Sequence, residues 1–414
     1  MKLENIGFYT LNDNRCKRTS VDSQLMRCEL ILTDACNFKC PYCRGLRPDL
    51  KGTMTLERAK YIVDLWTKDN LKNIRLSGGE PTVWKGLVEL VQYIKSKGVE
   101  RIAISTNGYA DMELYHELID AGVNDFSISL DACCSAFGDA MAGGINGAWD
   151  KVISNIKEIS KFTYVTVGVV VTEETVSDLK NTIEFASSLG VSDIRIISSA
   201  QYNQLLEVAK TVSKDVYEKY PILKYRIENL NNQRNVRGLQ ETDSHRCGLV
   251  LDDMAIAGDY HFPCIIYMRE GGNPVGKVGE NMRQERLEWM KKHNTHKDII
   301  CKNNCLDVCI DYNNKFTRYN IEKTRLRKID SSNFDWQKWS AGSIHDFGIP
   351  CRFETLTAYY SRELLSQYAV GWAYGDTLPC RAKDKHIAVM FEKDDNQFWF
   401  HVRNSEFMEI FVNN

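Results

Sequence analysis

Between residue 27 and about residue 200, short β-branched runs alternate with longer stretches that repeat an apolar position every three or four residues. The runs CELILT (28–33), NIRLS (73–77), RIAIST (101–106), DFSISL (125–130), YVTVGVVVT (164–172) and DIRIIS (193–198) read as strands. The amphipathic stretches predict helices over 55–68, 84–98, 112–122, 148–161 and 175–190, with a sixth near 201–218. Gly98, Gly122 and Gly190 fall at helix ends, where glycine is the usual punctuation. Six strand–helix units in succession predict an α/β fold, a parallel sheet with helices outside it and right-handed crossovers. A closed barrel, a partial barrel and an open doubly wound sheet all fit this spacing. In each of them ligands gather at the C-terminal ends of the strands.

From about residue 220 the alternation stops, and the chain divides into three expected parts: 1–223, 224–312 and 313–414. Residues 224–246 are polar and read as a connector. Residues 247–312 carry five cysteines and little periodicity, as a small metal-organised module would. The last part contains a helical-looking TLTAYYSRELLSQYAV (355–370) and HIAVMFEKDDNQFWFHV (386–402). The latter predicts a hairpin, and the whole part an α+β extension. Its tryptophans, at 336, 339, 372 and 399, read as core, and Cys351 and Cys380 stand far apart.

Composition narrows the partners more than the fold. Of 414 residues 43% are hydrophobic and 26% charged, ordinary for a soluble globular protein, and the net charge of −2 gives no pull toward nucleic acid or an anionic membrane. No apolar run is long enough to span a bilayer, and the first residues lack a signal-peptide plan, so the expected compartment is the cytoplasm. Fourteen cysteines are many for a reducing compartment, and they cluster. Close cysteine groups there ligate metal more often than they pair.

Directly after the first strand, TDACNFKCPYC places Cys36, Cys40 and Cys43 in a C-x3-C-x2-C loop. Cubane iron–sulfur clusters take thiolate ligands, usually four, so three would leave one iron open for chemistry. A zinc knuckle or a CPYC redox pair are the alternatives. The loop resembles that of the radical S-adenosylmethionine (radical SAM) superfamily, in particular its molybdenum-cofactor-biosynthesis and peptide-maturase branches. That resemblance, over roughly residues 25–310, implies a partial (βα)6 barrel with a [4Fe–4S] cluster on Cys36, Cys40 and Cys43. It also implies S-adenosylmethionine on the open iron, reductive cleavage to a 5′-deoxyadenosyl radical, and hydrogen-atom abstraction from a substrate.

Further motifs follow the next strands: SGGEPT (77–82), STNG (105–108) and SLDA (129–132). Taken alone, glycines after a strand make a turn or admit a close neighbour, and Ser, Thr, Asn or Asp there cap helices. The resemblance assigns Gly78, Gly79, Glu80, Thr106, Asn107, Ser129 and Asp131 to S-adenosylmethionine, and Tyr42 to its adenine. Cys133 and Cys134 follow the fourth strand; Cys133 is a candidate hydrogen-atom donor, and packing is the commoner fate of such a pair.

The later cysteines, Cys247, Cys264, Cys301, Cys305 and Cys309, resemble the auxiliary-cluster modules called SPASM or twitch domains. The full two-cluster module takes about seven cysteines and a C-x2-C pair; here there are five, ending in C-x3-C-x3-C. One further [4Fe–4S] cluster is therefore expected, with Cys247, Cys264, Cys301 and Cys305 leading and Cys309 a substitute. A structural zinc site would staple the segment equally well. His261, His293 and His296 are expected at the surface.

The implied function is a radical SAM enzyme acting on a peptide, nucleotide or small metabolite, with a flavodoxin- or ferredoxin-type electron donor. Only 35 residues precede Cys36, short for a separate peptide-recognition domain. The alternatives are a non-catalytic iron–sulfur carrier or sensor, and a zinc-stabilised binding module.

Overall fold

The computed structural model describes residues 15–17, 19–20, 22–50, 52–200, 202, 204 and 206–323, with strands at 371–374, 386–393 and 396–403. The chain divides into two compact units, Met1–Asn314 and Lys315–Asn414.

In the first unit β1 (Arg27–Ile31), α1 (Leu56–Lys68), β2 (Asn73–Ser77), α2 (Leu87–Ser96), β3 (Arg101–Thr106), α3 (Met112–Ala121) and β4 (Asp125–Ser129) follow in turn. Next come α4 (Ser135–Met141), α5 (Ala148–Ile159), β5 (Tyr164–Val171), α6 (Leu179–Ser187) and β6 (Asp193–Ser198). The helices form where an apolar stripe and a cap coincide. In α1 the Thr55 hydroxyl accepts from Arg58 N, and Ala59, Ile62, Val63, Leu65 and Trp66 form the buried face. At the end of α3, Gly122 takes φ +125°, a conformation that costs other residues strain.

All pairings from β1 to β6 are parallel, in sequential order. On the other side β1 pairs in parallel with β7 (Asp253–Ala257), which continues antiparallel to β8 (Tyr260–Phe262) and β9 (Gly276–Lys277). The nine strands run β6-β5-β4-β3-β2-β1-β7-β8-β9 and leave β6 and β9 as edges, so the barrel is partial.

The strands are buried on both sides but chemically two-faced. Cys28, Leu30, Ile74, Leu76, Ile102, Ile104, Phe126, Ile128, Val165, Val167, Ile194 and Ile196 point to the helices and join one apolar core. Each large aliphatic side chain there contributes about 2 kcal/mol of burial. The intervening residues, among them Arg27, Glu29, Arg75, Arg101, Asp125, Ser127, Thr166 and Arg195, line a polar interior. A parallel sheet covered on both faces usually reads as continuous apolar sequence; this one reserves its inner face for something polar.

Two expectations about the middle of the chain need correction. Residues 224–246 are not a connector throughout, because α8 (Pro221–Asn231) runs through their first third with Tyr225, Arg226, Ile227 and Leu230 buried. Its polar letters conceal a buried face: Arg226 pairs with Asp307, and Asn229 Nδ2 donates to the same carboxylate at 2.9 Å. The single helix expected near 201–218 is a 3-10 turn, Glu207–Thr211, followed by the short α7 (Lys214–Lys219). Helix α4 carries no side-chain cap and contains a glycine, so its seven residues give no signal in the sequence. The cysteine-rich segment is built from β7–β9 and α9 (Ile265–Arg269), α10 (Met282–Lys292), α11 (Ile299–Asn304) and α12 (Asp307–Lys323).

In the second unit β11 (His386–Lys393) and β12 (Asn396–Arg403) form the expected antiparallel hairpin, and β10 (Gly371–Tyr374) pairs with β11. The expected helix at 355–370, Trp336, Trp339, Cys351 and Cys380 lie outside the described residues. No described helix is long and apolar enough to cross a membrane.

Candidate functional site

The loops leaving β1 and β2 are locked together before any ligand is considered. Gly79 N donates to Thr33 O at 2.7 Å and Glu80 N to Ala35 O at 2.8 Å. A Cβ on Gly78 would lie 2.4 Å from Thr33 O, and one on Gly79 2.3 Å from Ala35 O. The close neighbour these glycines admit is therefore the chain's own cysteine loop.

Glu80 ties that pair of loops to the next. Its buried carboxylate accepts from Thr82 N at 3.0 Å, Thr82 Oγ1 at 2.8 Å and Thr106 Oγ1 at 2.8 Å on one oxygen, and from Asn107 N at 2.7 Å on the other. Burial raises its pKa while these four donors pull it down. Asn107 Nδ2 donates to Asn37 Oδ1 at 2.7 Å, inside the cysteine loop. Thr106 is wholly engaged within this network, since its hydroxyl also accepts from Gly108 N at 3.1 Å. Glu80→Gln turns an amide N–H toward Asn107 N–H or the threonines, and is expected to cost about 2 kcal/mol. The midpoint of urea unfolding measures this, and an unchanged midpoint would mean that the network does not form.

Above these loops opens a cleft of about 250 Å³ at the C-terminal ends of the strands. Cys36, Cys40, Cys43, Tyr42, Gly79, Glu80, Thr106, Asn107, Ser129 and Asp131 all border it, so ten of the residues singled out in the sequence converge. Gly78 lies just behind, with its carbonyl taken by Arg269 Nη2 at 2.7 Å. Tyr42 donates to Asp131, whose other oxygen accepts from Val170 N at 2.7 Å. Burial raises Asp131 to about 6 against those two bonds. Phe38, Met141, Trp149 and Val152 form an apolar wall on one side. Neither Cys133 nor Cys134 borders the cleft; Cys134 stands at the start of α4.

Two of the thiols are raised by their surroundings. Cys40 is pushed up to about 12 by burial, then by Asp131, Cys43 and Cys36. Cys36 is raised by burial, Glu80 and Cys43. Thiols that resist ionisation for want of positive charge suit a cationic metal centre. A single tetrahedral zinc needs sulfurs about 3.8 Å apart. Among the described residues the only three ligand groups within 4.8 Å of one another are those of His293, Asp298 and Cys301. The Sγ atoms of Cys36, Cys40 and Cys43 do not all lie within 4.8 Å of one another.

The five later cysteines also converge, around a small cavity of about 40 Å³. Burial raises all five thiols, Cys264 to about 12, and each of them is also raised by at least one of the others except Cys247. None of these five is in a disulfide. Asn313 Nδ2 donates to Cys247 Sγ at 3.6 Å. The histidines depart from expectation. His261 is fully buried, 2.7 Å from Glu285 Oε2 and against Arg286. His293 is half-buried, stacked on Trp289, with Nε2 3.5 Å from Cys301 Sγ. His296 is half-buried as well, its Nε2 2.9 Å from Asp243 O.

A clamp joins the two cysteine groups. Arg269, at the end of α9, donates to Gly45 O at 3.0 Å as well as to Gly78 O, Arg44 pairs with Glu270, and Arg47 donates to Gly272 O at 2.8 Å. Sequence reasoning passes over these arginines because nothing local distinguishes them from surface charge.

Residues 30–186 match the model of the radical SAM superfamily. A probable GTP 3′,8-cyclase of Saccharolobus solfataricus is 32% identical over 172 residues, 41% of this chain and 55% of that protein. Another, of Metallosphaera sedula, is 30% identical over 179 residues, 40% of this chain and 53% of that protein. The chain thus spans about half the length of these relatives. Among solved structures, Streptococcus suis SuiB is similar at a TM-score of 0.47 and 13% identity, over 66% of each chain.

Proposed function

We propose that this chain, whose residues 30–186 form a radical SAM domain, is an enzyme that holds a [4Fe–4S] cluster on Cys36, Cys40 and Cys43 and S-adenosylmethionine in the adjoining cleft. The observation that carries this reading is the convergence of three widely spaced thiols and the Glu80-braced loops on one cleft. A reduced cluster held on these thiols would supply the electron for cleavage of S-adenosylmethionine to methionine and a 5′-deoxyadenosyl radical able to take a hydrogen atom from the substrate.

The chain's own part is positioning and shielding. Gly79 presents backbone to the amino acid end of S-adenosylmethionine, and Gly78 allows the loops to close behind it. Glu80 and Thr106 act by holding Asn107 and the cysteine loop in place. Ser129 offers a hydroxyl to the ribose or carboxylate. Asp131 fixes the Tyr42 ring for adenine to pack on, and the Phe38–Trp149 wall protects the radical from solvent.

In this reading residues 1–223 form the catalytic core and 224–312 an auxiliary module. Cys247, Cys264, Cys301 and Cys305 hold a second [4Fe–4S] cluster there, with Cys309 close enough to replace one of them. A flavodoxin or ferredoxin of the cytoplasm supplies the electron. The substrate is a peptide, a nucleotide or a small metabolite, and the relatives named GTP 3′,8-cyclase favour a nucleotide.

The test is anaerobic reconstitution of the full chain with iron and sulfide, reduction in the presence of S-adenosylmethionine, and assay of products. The expected result is about eight irons per chain, for two cubane clusters, and 5′-deoxyadenosine with methionine in equal amounts. Zinc bound in place of iron, or an iron-loaded chain that does not bind S-adenosylmethionine, overturns the reading.

A further inference from the structure

Five cysteines line the later cavity, and a cubane cluster takes four thiolates, so one of them is surplus. Cys301 is set apart by what stands beside it. Its Sγ lies 3.5 Å from His293 Nε2, and the same nitrogen lies 3.7 Å from Asp298 Oδ2. The three ligand atoms fall within 4.8 Å of one another, the only such trio among the described residues. A tetrahedral zinc ion keeps nitrogen, oxygen and sulfur ligands about 3.4–3.6 Å apart, close to this spacing.

Hydrogen bonding alone does not account for the arrangement. Thiol and carboxylate face one ring nitrogen, which carries at most one hydrogen and so can satisfy only one of them. A dication between the three satisfies both. The side chains are also held in place from outside. Asp298 Oδ1 accepts from Ile300 N and Cys301 N, both at 2.9 Å, and its Oδ2 accepts from Tyr267 Oη at 2.8 Å. The His293 ring stacks on Trp289 at 3.9 Å and meets Tyr267 edge-on. Outer contacts of this kind orient ligands for a metal. The side chains of His293 and Asp298 are 15% and 19% exposed, so water can reach the fourth position of the ion.

We propose that His293 Nε2, Asp298 Oδ2 and Cys301 Sγ bind one zinc ion, and that the second iron–sulfur cluster takes Cys247, Cys264, Cys305 and Cys309. Cys301 gives up its thiol proton to solvent as the zinc–sulfur bond forms. The ion ties the residue that follows α10 to the first turn of α11 and so braces one wall of the cysteine-lined cavity. The sharing out of the five thiols rests on the second cluster of the proposed function; the zinc site rests on the three side chains alone.

The test is the zinc and iron content of the anaerobically reconstituted full chain after zinc is added and the protein desalted. Wild type is expected to keep about one zinc besides its iron. His293→Ala, Asp298→Asn and Cys301→Ala are each expected to bind zinc about tenfold or more less tightly. Cys301→Ala is expected to keep its iron, because four thiols remain for the cluster. An iron-loaded wild type that takes up no zinc, or zinc binding that survives His293→Ala, overturns the site. Loss of about half the iron in Cys301→Ala overturns the assignment of that thiol to zinc. If a variant does not fold, X-ray absorption at the zinc edge of wild type decides. One sulfur at about 2.3 Å with nitrogen and oxygen at about 2.0–2.2 Å supports the site, and a shell of sulfur alone overturns it. Zinc in that mixed shell with no iron on the later cysteines supports the site while the two-cluster reading fails, so the two are separable.

Discussion

Cys36→Ala/Cys40→Ala/Cys43→Ala is expected to abolish 5′-deoxyadenosine formation while the chain still folds and still binds about half of its iron. The fold survives because the loop is held mainly by other groups: Gly79 N to Thr33 O, Glu80 N to Ala35 O and the Arg269 contacts use backbone and a distant arginine. The remaining iron would reside on the later cysteines, whose cavity shares no wall with the cleft. Iron content, circular dichroism and product assay on the same preparation check all three statements. Complete loss of iron would show that the later group holds no cluster, and residual product would place the chemistry elsewhere.

Asp125→Ala is expected to destabilise the chain by about 3–5 kcal/mol. Asp125 and Arg101 face each other with side chains only 2% exposed, and Arg101 has Nε and Nη1 without partners. Burial lowers Arg101 to about 10, and Asp125 is the principal group that opposes this. Removing the carboxylate leaves the Arg101 guanidinium buried without its counter-charge. Arg101→Met/Asp125→Leu removes both charges and is expected to recover most of the loss, because an apolar pair is not penalised for burial. Urea unfolding of Arg101→Met, Asp125→Leu and the double forms the cycle. A double that costs the sum of the two singles would mean that the pair is not coupled.

The strands were the most legible part of the chain, because β-branched runs bounded by glycine and polar turns say the same thing locally and globally. NIRLS, RIAIST and DIRIIS coincide with β2, β3 and β6 to the residue. The places where reading fails are those where burial is achieved by pairing rather than by apolarity. Helix α8 looks like a polar linker because Arg226 and Asn229 are buried against Asp307, some eighty residues away. His261 looks like a surface residue for the same reason, since Glu285 and Arg286 satisfy it. The charged inner face of the barrel was legible in principle: R-x-E, R-x-S and D-x-S repeat with the period of a strand. That alternation is hidden by the stronger apolar signal of the opposite face. At the candidate site the cysteines could be named from spacing, yet the convergence of Cys247 with Cys309, and the grip of Arg269 on the first loop, depend on folding that no local pattern records.

The parallel pairing of β7 with β1, in register from Arg27↔Asp253 to Ile31↔Ala257, bears on where the chain can be cut. The strand that launches the first cysteine loop has its second neighbour in the segment that bears the other cysteines. A core that lost this segment would expose a fully apolar-backed edge, the kind of edge that recruits other chains and aggregates. Cutting away the segment that bears the later cysteines would therefore also strip β1 of a neighbour, and a chain truncated before β7 is expected to lose solubility along with those thiols.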